Sequence, residues 1–193
     1  QYSNRYGKIE DIVAGLEVVL ADGTVVRLGA MAGAGPRSAT GPDLMSLFVG
    51  SEGTLGVITA VRLRAHPLPK SQRRASWRFR SFAEGLAAIR RTIRRGANVA
   101  VLRLYDQDEV RRLYGAGDGA LLIALDEGDP EVIDAAMSIL GEECASAEVG
   151  DEAVVGEWLA RRNDTSALGT AVQAGAVADT IEISASWAEL TDL

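Results

Sequence analysis

Three glycines, two hydroxyl residues and one carboxylate lie close together in the segment Gly50-Ser51-Glu52-Gly53-Thr54-Leu55-Gly56-Val57. Glycine admits positive φ angles and lets another group approach the main chain, so the N–H groups of such a loop are able to bind a ligand. The spacing is not G-x-G-x-x-G and no Gly-Lys-Ser/Thr follows, which excludes those two nucleotide loops. The residues alone support a ligand-binding loop and a plain tight turn equally.

Arg103 is the second candidate, because it stands in the otherwise apolar segment 101–105. Side chains alternate along a strand, which places Arg103 on the same side as Tyr105. A guanidinium buried there needs an anionic partner, since burying it unpaired is costly. The residues alone favour a nearby carboxylate, such as Asp106 or Asp108, as that partner over the anionic group of a substrate.

A short helix and a strand must hold the glycine loop. Leu44, Leu47 and Phe48 follow helical spacing and predict a short helix that ends near Gly50. Residues 57–64 alternate in hydrophobic character and predict the strand that follows the loop.

The chain opens with a predicted hairpin and then divides. Apolar runs at 12–20 and 24–28 flank the turn residues Asp22 and Gly23. Two prolines and a polar run at 67–72 break both helical and strand periodicity, which predicts a linker. The predicted domains are residues 1–66 and 67–193.

The second domain alternates strands with single helices. A capping box, Ser81 to Glu84, opens the first of these helices. This order predicts an α+β sandwich, an antiparallel sheet with helices on one face. The predicted strands are 76–80, 98–105, 119–125 and 178–184, and the predicted helices are 81–96, 106–115, 129–145 and 151–162. A further capping box at Ser186 begins a helix that the chain end interrupts, so we expect this chain to be the middle of a longer polypeptide.

Composition favours an ordinary soluble protein. The 193 residues are 47% hydrophobic with a mean hydropathy of +0.06, enough for one or two cores. No apolar run reaches the roughly 18 residues that span a bilayer, and no signal peptide is evident, so a cytoplasmic protein without a transmembrane segment is expected. Cys144 is the only cysteine and His66 the only histidine. A buried thiol is favoured over a nucleophile, and no metal site is expected.

The net charge of −7 is unevenly distributed along the chain. Residues 62–103 form a basic block, with 12 basic residues and one acidic residue. Such a block, with aromatic residues inside it, would suit a non-catalytic module that binds a polyanion. The aromatic residues instead fit a half-buried strand and one helix face, opposite a basic face. A solvated basic surface is therefore favoured over a nucleic-acid site. The apolar helix face comprises Phe82, Leu86, Ile89 and Ile93, and the basic face comprises Arg90, Arg91, Arg94 and Arg95.

The sequence GSEGTLGVIT at 50–59 resembles the signature that closes the FAD-binding domain of flavoproteins of the vanillyl-alcohol-oxidase type. Two further segments are similar to alkyldihydroxyacetonephosphate synthases: PRSATGPD at 36–43 resembles PRxxTGPD, and NRYGKIED at 4–11 resembles NRYGxIED. Hydroxy-acid dehydrogenases usually carry GYDL where this chain has GPDL at 41–44. The resemblance extends over residues 1–115 and is looser beyond them.

The resemblance implies FAD as cofactor, with the chemistry on the flavin and the protein supplying placement. The loop Gly50 to Val57 would contact FAD through its main chain, with Glu52 accepting hydrogen bonds unless its carboxylate organises the loop instead. The segment VLRLYD at 101–106 resembles SIRLMD, whose arginine meets the substrate phosphate, so the resemblance implies that role for Arg103. The departures at Val101 and Tyr105 leave the substrate open.

The reaction implied by the resemblance is exchange of an acyl group for a fatty alcohol on a glycerone phosphate, through a covalent flavin adduct. That would be a transferase of ether-lipid biosynthesis with a small-molecule or lipid-like substrate, and a homodimer is compatible with it. The alternative is a flavin dehydrogenase or oxidase of D-2-hydroxy acids. The family's catalytic tyrosine and histidine cluster have no counterpart here. The isolated chain is expected to be inactive, because the resemblance implies that the pyrophosphate-binding half of the FAD domain lies before Gln1.

Overall fold

The computed structural model describes residues 2–33, 41–115, 117–177 and 181–190. Most of the predicted PRSATGPD segment therefore lies outside the described residues, as does the beginning of the strand predicted at 178–184. The chain forms two compact units, Gln1–Leu68 and Pro69–Leu193.

The first unit is built on a three-stranded antiparallel sheet with the strand order β2-β1-β3. Two short helices precede the sheet, and a 3-10 turn and a third short helix lie between β2 and β3. The elements are α1 Ser3–Tyr6, α2 Ile9–Ile12, β1 Val13–Val19, β2 Val25–Gly29, the 3-10 turn Ala30–Ala32, α3 Met45–Phe48 and β3 Val57–Leu63.

The predicted hairpin is confirmed, because β1 and β2 pair from Val19 with Val25 onwards. The Thr24 N–H donates to the Asp22 carboxylate at 2.9 Å and closes the turn. Helices α1 and α2 were not predicted, and the first strand begins at Val13 rather than at residue 12.

The central strand β1 provides the core of the first unit. Val13, Leu16 and Val18 are buried, and Met45 and Phe48 of α3 pack against them. The helix predicted before the glycine loop is therefore present, and it is seated on the sheet. The Asp43 carboxylate starts it by accepting from the Met45 N–H at 3.1 Å.

The second unit has a four-stranded antiparallel sheet with the order β5-β6-β4-β7, so the fold is α+β as predicted. The elements are β4 Ser71–Phe79, α4 Phe82–Arg94, β5 Val101–Tyr105, α5 Gln107–Tyr114, β6 Ala120–Gly128, α6 Pro130–Glu143, β7 Glu148–Val149, α7 Ala153–Arg161 and α8 Ser166–Gln173.

Helices α4 and α6 cover one face of this sheet. The core beneath them contains Phe79, Leu122 and Leu140, all buried, and Leu102 and Leu104 pack against it. Three helices of this unit begin with a side-chain cap. Ser81, Asp106 and Asp129 each accept a main-chain N–H at the start of α4, α5 and α6.

The opposite face of the sheet meets α5 and α7, so the prediction that the helices lie on one face only was wrong. Val110 of α5 and Val155 of α7 are fully buried. The Ser76 hydroxyl donates to the Asp151 carbonyl at 2.9 Å and anchors the start of α7 to β4. Since Arg103 pairs with Ile123 across β5 and β6, Arg103 points to this second face.

Several predictions for the second unit were wrong in detail. Ser71 and Gln72 belong to β4 and not to a linker, because they pair with β6. Residues 181–184 form no strand, and 187–190 form a turn although Ser186 and Glu189 make the predicted capping contact. Neither β7 nor α8 was predicted.

The buried face of α4 is also rotated from the predicted one. It comprises Gly85, Ala88, Ile89 and Thr92, while Phe82 and Ile93 are exposed.

Glu143 at the end of α6 joins α4 to α6. Its carboxylate lies 2.6 Å from Arg91 Nε and 3.0 Å from Arg95 Nη1. These hydrogen bonds hold the pKa of Glu143 below its ordinary value. A carboxyl whose pKa is lowered by folding stabilises the protein above its ordinary pKa, and loses that contribution as the pH falls.

We therefore expect Glu143→Gln to lower the free energy of unfolding at neutral pH, and the difference from wild type to shrink as the pH falls below 4.5. Urea unfolding followed by tryptophan fluorescence across this pH range measures it. Glu142→Gln is the matched control, since Glu142 pairs with Arg95 alone in the described structure and is more exposed. A deficit for Glu143→Gln that is constant with pH would contradict the ion-pair origin.

Candidate functional site

The glycine loop, residues 50–56, connects α3 to β3 in the first unit. The Ser51 N–H donates to the Phe48 carbonyl at 3.1 Å, and both the N–H and the hydroxyl of Thr54 donate to the Ser51 carbonyl. These bonds fold the loop onto the end of α3. The main chain turns back through Glu52, whose φ of 50° is the one positive value at a non-glycine residue in the described structure.

Main-chain donors of this loop are available to a ligand. The N–H groups of Glu52, Gly53 and Leu55 have no hydrogen-bond partner among the described residues. A Cβ placed on Gly53 would have no atom within 4 Å, so that side of the loop is open. Free N–H groups beside an open surface are the features that a main-chain cofactor cradle requires. The loop therefore fits the main-chain contacts with FAD predicted for it.

Gly56 differs from Gly53, because the space around it is filled by β1. A Cβ at this position would lie 2.8 Å from Val18 Cγ1 and 2.8 Å from the Val19 carbonyl oxygen. Both atoms belong to the central strand of the sheet, which is fixed on both sides. Because Gly56 has no side chain, the loop packs directly on β1 at this residue. The open part of the loop lies next to this contact.

The Glu52 side chain is exposed and accepts no hydrogen bond from a described residue. The described structure therefore gives no support to the alternative in which this carboxylate organises the loop. Leu55 and Val57 beside it are also exposed, Val57 to 63%. Exposed apolar side chains next to free main-chain donors offer both kinds of contact that a large planar cofactor makes.

Arg103 opens onto a pocket of about 220 Å³ in the second unit. Charged side chains dominate its lining, with four arginines against two glutamates, an excess of two positive charges. These residues are Arg103, Arg112, Arg161, Arg162, Glu109 and Glu157. A concave site with a positive excess attracts anionic ligands, since the pocket walls focus the field of its cations.

The Arg103 guanidinium contacts aromatic rings rather than a carboxylate. Its Cζ lies 5.4 Å from the Tyr105 ring centre and 5.7 Å from that of Trp158. Asp106 and Asp108, the partners considered from the sequence, make no ion pair with Arg103 in the described structure. Asp106 instead accepts from the Glu109 N–H at 2.8 Å and caps α5. Arg103 is thus left with charge and donors that a substrate anion could use.

Two tyrosine phenols lie beside Arg103, with Tyr105 buried and Tyr114 half-buried. Burial raises the pKa of Tyr114 to about 12 and also raises the pKa of Tyr105. Their rings pack edge to face, with centroids 6.2 Å apart. Both phenols are therefore neutral at physiological pH, and they leave the positive excess of the pocket intact.

The two glutamates of the pocket are each placed against another arginine. Glu109 bonds to Arg112 in a short contact, and Glu157 lies 4.0 Å from Arg161. The Arg161 guanidinium also reaches the Leu113 carbonyl. Neither of these carboxylates forms an ion pair with Arg103 in the described structure.

Part of the basic block at 62–103 is engaged in contacts within the protein. Arg91 and Arg95 bond to the end of α6, Arg73 pairs with Asp134 at 2.7 Å, and Lys70 pairs with Asp129 at 2.9 Å. These ion pairs leave less of the block for a polyanion.

Sequence reasoning identified Arg103 but missed the residues around it. Tyr114, Trp158 and Arg162 come from α5 and from α7 and its C-terminal end, and only the fold brings them to β5. The one sequence signal was the spacing of Trp158 and Arg162, four residues apart on a predicted helix and so on one face. The glycine loop and the Arg103 pocket belong to different units.

Residues 68–193 match the family described as FAD linked oxidases, C-terminal domain. The chain belongs to this family. The predicted type of flavoprotein and its cofactor, FAD, are thereby confirmed. Cys144 is buried as predicted, and burial raises the pKa of its thiol to about 12.

Two relatives of this FAD-linked oxidase chain represent the two activities considered from the sequence. An alkyldihydroxyacetonephosphate synthase of Caenorhabditis elegans is 36% identical over 106 residues, which cover 55% of this chain and 17% of that protein. A mitochondrial D-2-hydroxyglutarate dehydrogenase of Bos taurus is 49% identical over 87 residues, covering 45% of this chain and 15% of that protein. The chain thus spans less than a fifth of either relative.

A solved structure of an alkyldihydroxyacetonephosphate synthase, crystallised in P1, has the same fold. It superposes with a TM-score of 0.66 at 21% identity, over 81% of this chain and 33% of that one. No helix within the described ranges is long and apolar enough to cross a membrane. The same ranges contain no cluster of three or more His, Cys, Asp or Glu residues able to hold a metal ion.

Proposed function

We propose that this chain is part of an FAD-dependent enzyme that exchanges an acyl group for a fatty alcohol on a glycerone phosphate, as in alkyldihydroxyacetonephosphate synthases. The observation that carries the proposal is the pocket around Arg103, where arginines outnumber glutamates by four to two. A phosphate ester needs such a site, because its two negative charges must be matched by cations when water is removed.

The glycine loop would hold the cofactor. Main-chain N–H groups of Glu52, Gly53 and Leu55 would donate to FAD, and exposed Leu55 and Val57 would provide apolar contacts. When bound, FAD supplies the reactive centre of the enzyme, and this chain contributes the placement. These assignments rest on the open geometry of the loop and on its resemblance to the family signature.

Arg103 would bind the anionic group of the substrate. A guanidinium presents a planar fork of N–H donors that matches two oxygens of a phosphate. The neutral phenols of Tyr105 and Tyr114 could donate further hydrogen bonds without opposing the anion. Binding the substrate at a group remote from the reacting carbon fixes its orientation for the reaction.

A second candidate function is oxidation of a D-2-hydroxy acid. The specific observation in its favour is the 49% identity to a D-2-hydroxyglutarate dehydrogenase over 87 residues. In that case Arg103 would bind a carboxylate in place of a phosphate, with the same fork of donors.

The experiment that tests the proposal uses the full-length protein that carries this sequence. After reconstitution with FAD, its absorbance is measured, and then its activity on an acyl-glycerone phosphate with a fatty alcohol. A flavin spectrum with alkyl exchange supports the first candidate. Dye reduction with D-lactate or D-2-hydroxyglutarate, without alkyl exchange, supports the second. Absence of a flavin spectrum would defeat both.

A further inference from the structure

The Arg103 guanidinium contacts two aromatic rings from two different elements. Its Cζ is 5.4 Å from the centre of the Tyr105 ring, which lies two residues later on the same face of β5. The same atom is 5.7 Å from the centre of the Trp158 ring on α7. A cation within about 6 Å of a ring centre is attracted by the negative face of the ring. Strand and helix thus each contribute one ring to the same cation.

Both rings are fixed by their surroundings. Tyr105 is buried, and its ring packs edge to face on Tyr114. Trp158 is also buried, and the hydrogen bond from the Ser76 hydroxyl to the Asp151 carbonyl anchors the start of its helix to β4. A side chain that is locked by packing holds what it contacts more precisely than a mobile one does.

The two rings stabilise the cation without using its donors. The Arg103 guanidinium makes no hydrogen bond or ion pair with a described residue. A carboxylate partner would occupy the same N–H groups that a ligand needs, as Glu109 does at Arg112 in this pocket. An aromatic face attracts the charge and leaves the fork of donors for an oxyanion.

We propose that Tyr105 and Trp158 are positioning residues that hold the Arg103 guanidinium for the anionic group of the substrate. The inference rests on the proposed function and deepens it, because it names the residues that place the arginine of the anion site. The role belongs to the two aromatic rings, which act through Arg103.

The test measures anion binding to the 193-residue chain. Inorganic phosphate and, separately, acetate are titrated at constant ionic strength, and NMR shifts of backbone amides in β5 give the dissociation constants. Arg103→Gln is expected to weaken binding about tenfold or more, because charge-assisted hydrogen bonds are lost. Trp158→Leu is expected to weaken it about threefold to tenfold, and Trp158→Phe, which keeps an aromatic face, less than about threefold.

Two control variants separate the rings from the packing around them. Trp77→Leu makes the same change at a tryptophan that is equally buried but lies in the core beneath α4 and α6, on the face of the sheet opposite Arg103. It should leave the dissociation constant within about twofold. Tyr105→Phe keeps the ring and should also stay within about twofold, whereas Tyr105→Leu should weaken binding about threefold.

Coupling to Arg103 distinguishes positioning from a purely structural role. In the double variant Trp158→Leu, Arg103→Gln, the loss should be smaller than the product of the two single losses, because Trp158 acts only through Arg103. Arg162 Cζ lies 5.5 Å from the same ring, so the cycle is repeated with Arg162→Gln in every variant. The coupling between Trp158 and Arg103 should persist there. If Trp158→Leu does not fold, Tyr105→Leu combined with Arg103→Gln makes the same comparison.

Independent effects of Trp158 and Arg103 would overturn the proposal, as would coupling that disappears with Arg162→Gln or a wild-type chain that binds neither anion saturably. The cofactor is not needed for these titrations. A full-length protein without flavin would therefore defeat the proposed function even where the rings and Arg103 are coupled, and the two failures remain distinct.

Discussion

Arg103→Lys should lower kcat/KM for a phosphorylated substrate by about tenfold to a hundredfold in the full-length protein, while FAD content and Tm remain close to wild type. Lysine keeps the positive charge but presents a single ammonium in place of a planar fork, so bidentate contact with two oxygens is lost. Stability should change little, because Arg103 forms no ion pair with a carboxylate in the described structure, and the substitution therefore breaks none.

Arg112→Lys is the matched control for this prediction. It makes the same chemical change in the same pocket, at an arginine whose guanidinium is already bonded to Glu109. We expect kcat/KM to fall less than about threefold there, since an exposed ion pair contributes little. Steady-state kinetics and thermal melts on both variants complete the measurement. An unchanged kcat/KM for Arg103→Lys would exclude a substrate role for this arginine.

Local chemistry made much of the fold predictable. The Asp22-Gly23 turn and the caps Ser81, Asp106 and Asp129 depend on hydrogen bonds to residues two or three positions away. Such contacts depend on neighbouring residues, so the turn and the Ser81 cap were predicted correctly, as were the starts of the helices at Asp106 and Asp129. The two-residue strand β7 was missed because its only reason to be a strand is a pairing with Trp77 and Arg78, about 70 residues earlier.

The buried face of α4 shows where residue type misleads. Phe82 and Ile93 are apolar and were predicted to be buried, but Gly85 and Thr92 are buried in their place. A Cβ on Gly85 would lie 2.6 Å from Leu104 Cδ1, so the absence of a side chain is what allows α4 to approach β5. The Thr92 hydroxyl is satisfied inside the helix by the Ala88 carbonyl at 2.9 Å. Packing against neighbouring elements determines which face of α4 is buried. The pattern of residues within the helix alone does not predict it.

The candidate site also has one part that the sequence predicted and one part that it did not. The glycine loop was found from its own residues, because every feature that makes it open lies within ten positions of sequence. Arg103 was found as an anomaly on an apolar strand, but its partners were not. Trp158 lies 55 positions later in the sequence, and it takes the place expected for Asp106 or Asp108. A contact of that separation depends on how α7 crosses the sheet, which the sequence alone does not specify.

Gly56→Ala is expected to destabilise the first unit by about 3 kcal/mol, the largest effect on stability predicted for the loop. The added methyl would meet Val18 Cγ1 and the Val19 carbonyl, each at 2.8 Å, in the buried centre of the sheet. A φ of 156° adds strain for any residue with a Cβ. Neither cost is relieved by a side-chain rotation, because one of the two obstacles is main chain.

Gly53→Ala is the matched control, since it makes the same change three residues earlier in the same loop. Gly53 has a φ of 80° but no atom within 4 Å of an added Cβ, so only the conformational cost of about 1–2 kcal/mol applies. Hydrogen exchange of β1 amides measures the stability of the first unit. All three tryptophans, Trp77, Trp158 and Trp187, lie in the second unit and report its integrity separately by fluorescence.

The same two variants separate the structural role of the loop from its role toward the cofactor. If the open side of the loop contacts FAD, Gly53→Ala should weaken FAD binding by the full-length protein more than its small effect on stability explains, because its methyl points to where the ligand lies. Gly56→Ala should release FAD only in proportion to the unfolding of β1. Equal hydrogen exchange in the two variants would contradict the close packing of Gly56 on Val18, and undiminished FAD affinity in Gly53→Ala would remove this glycine from the cofactor site.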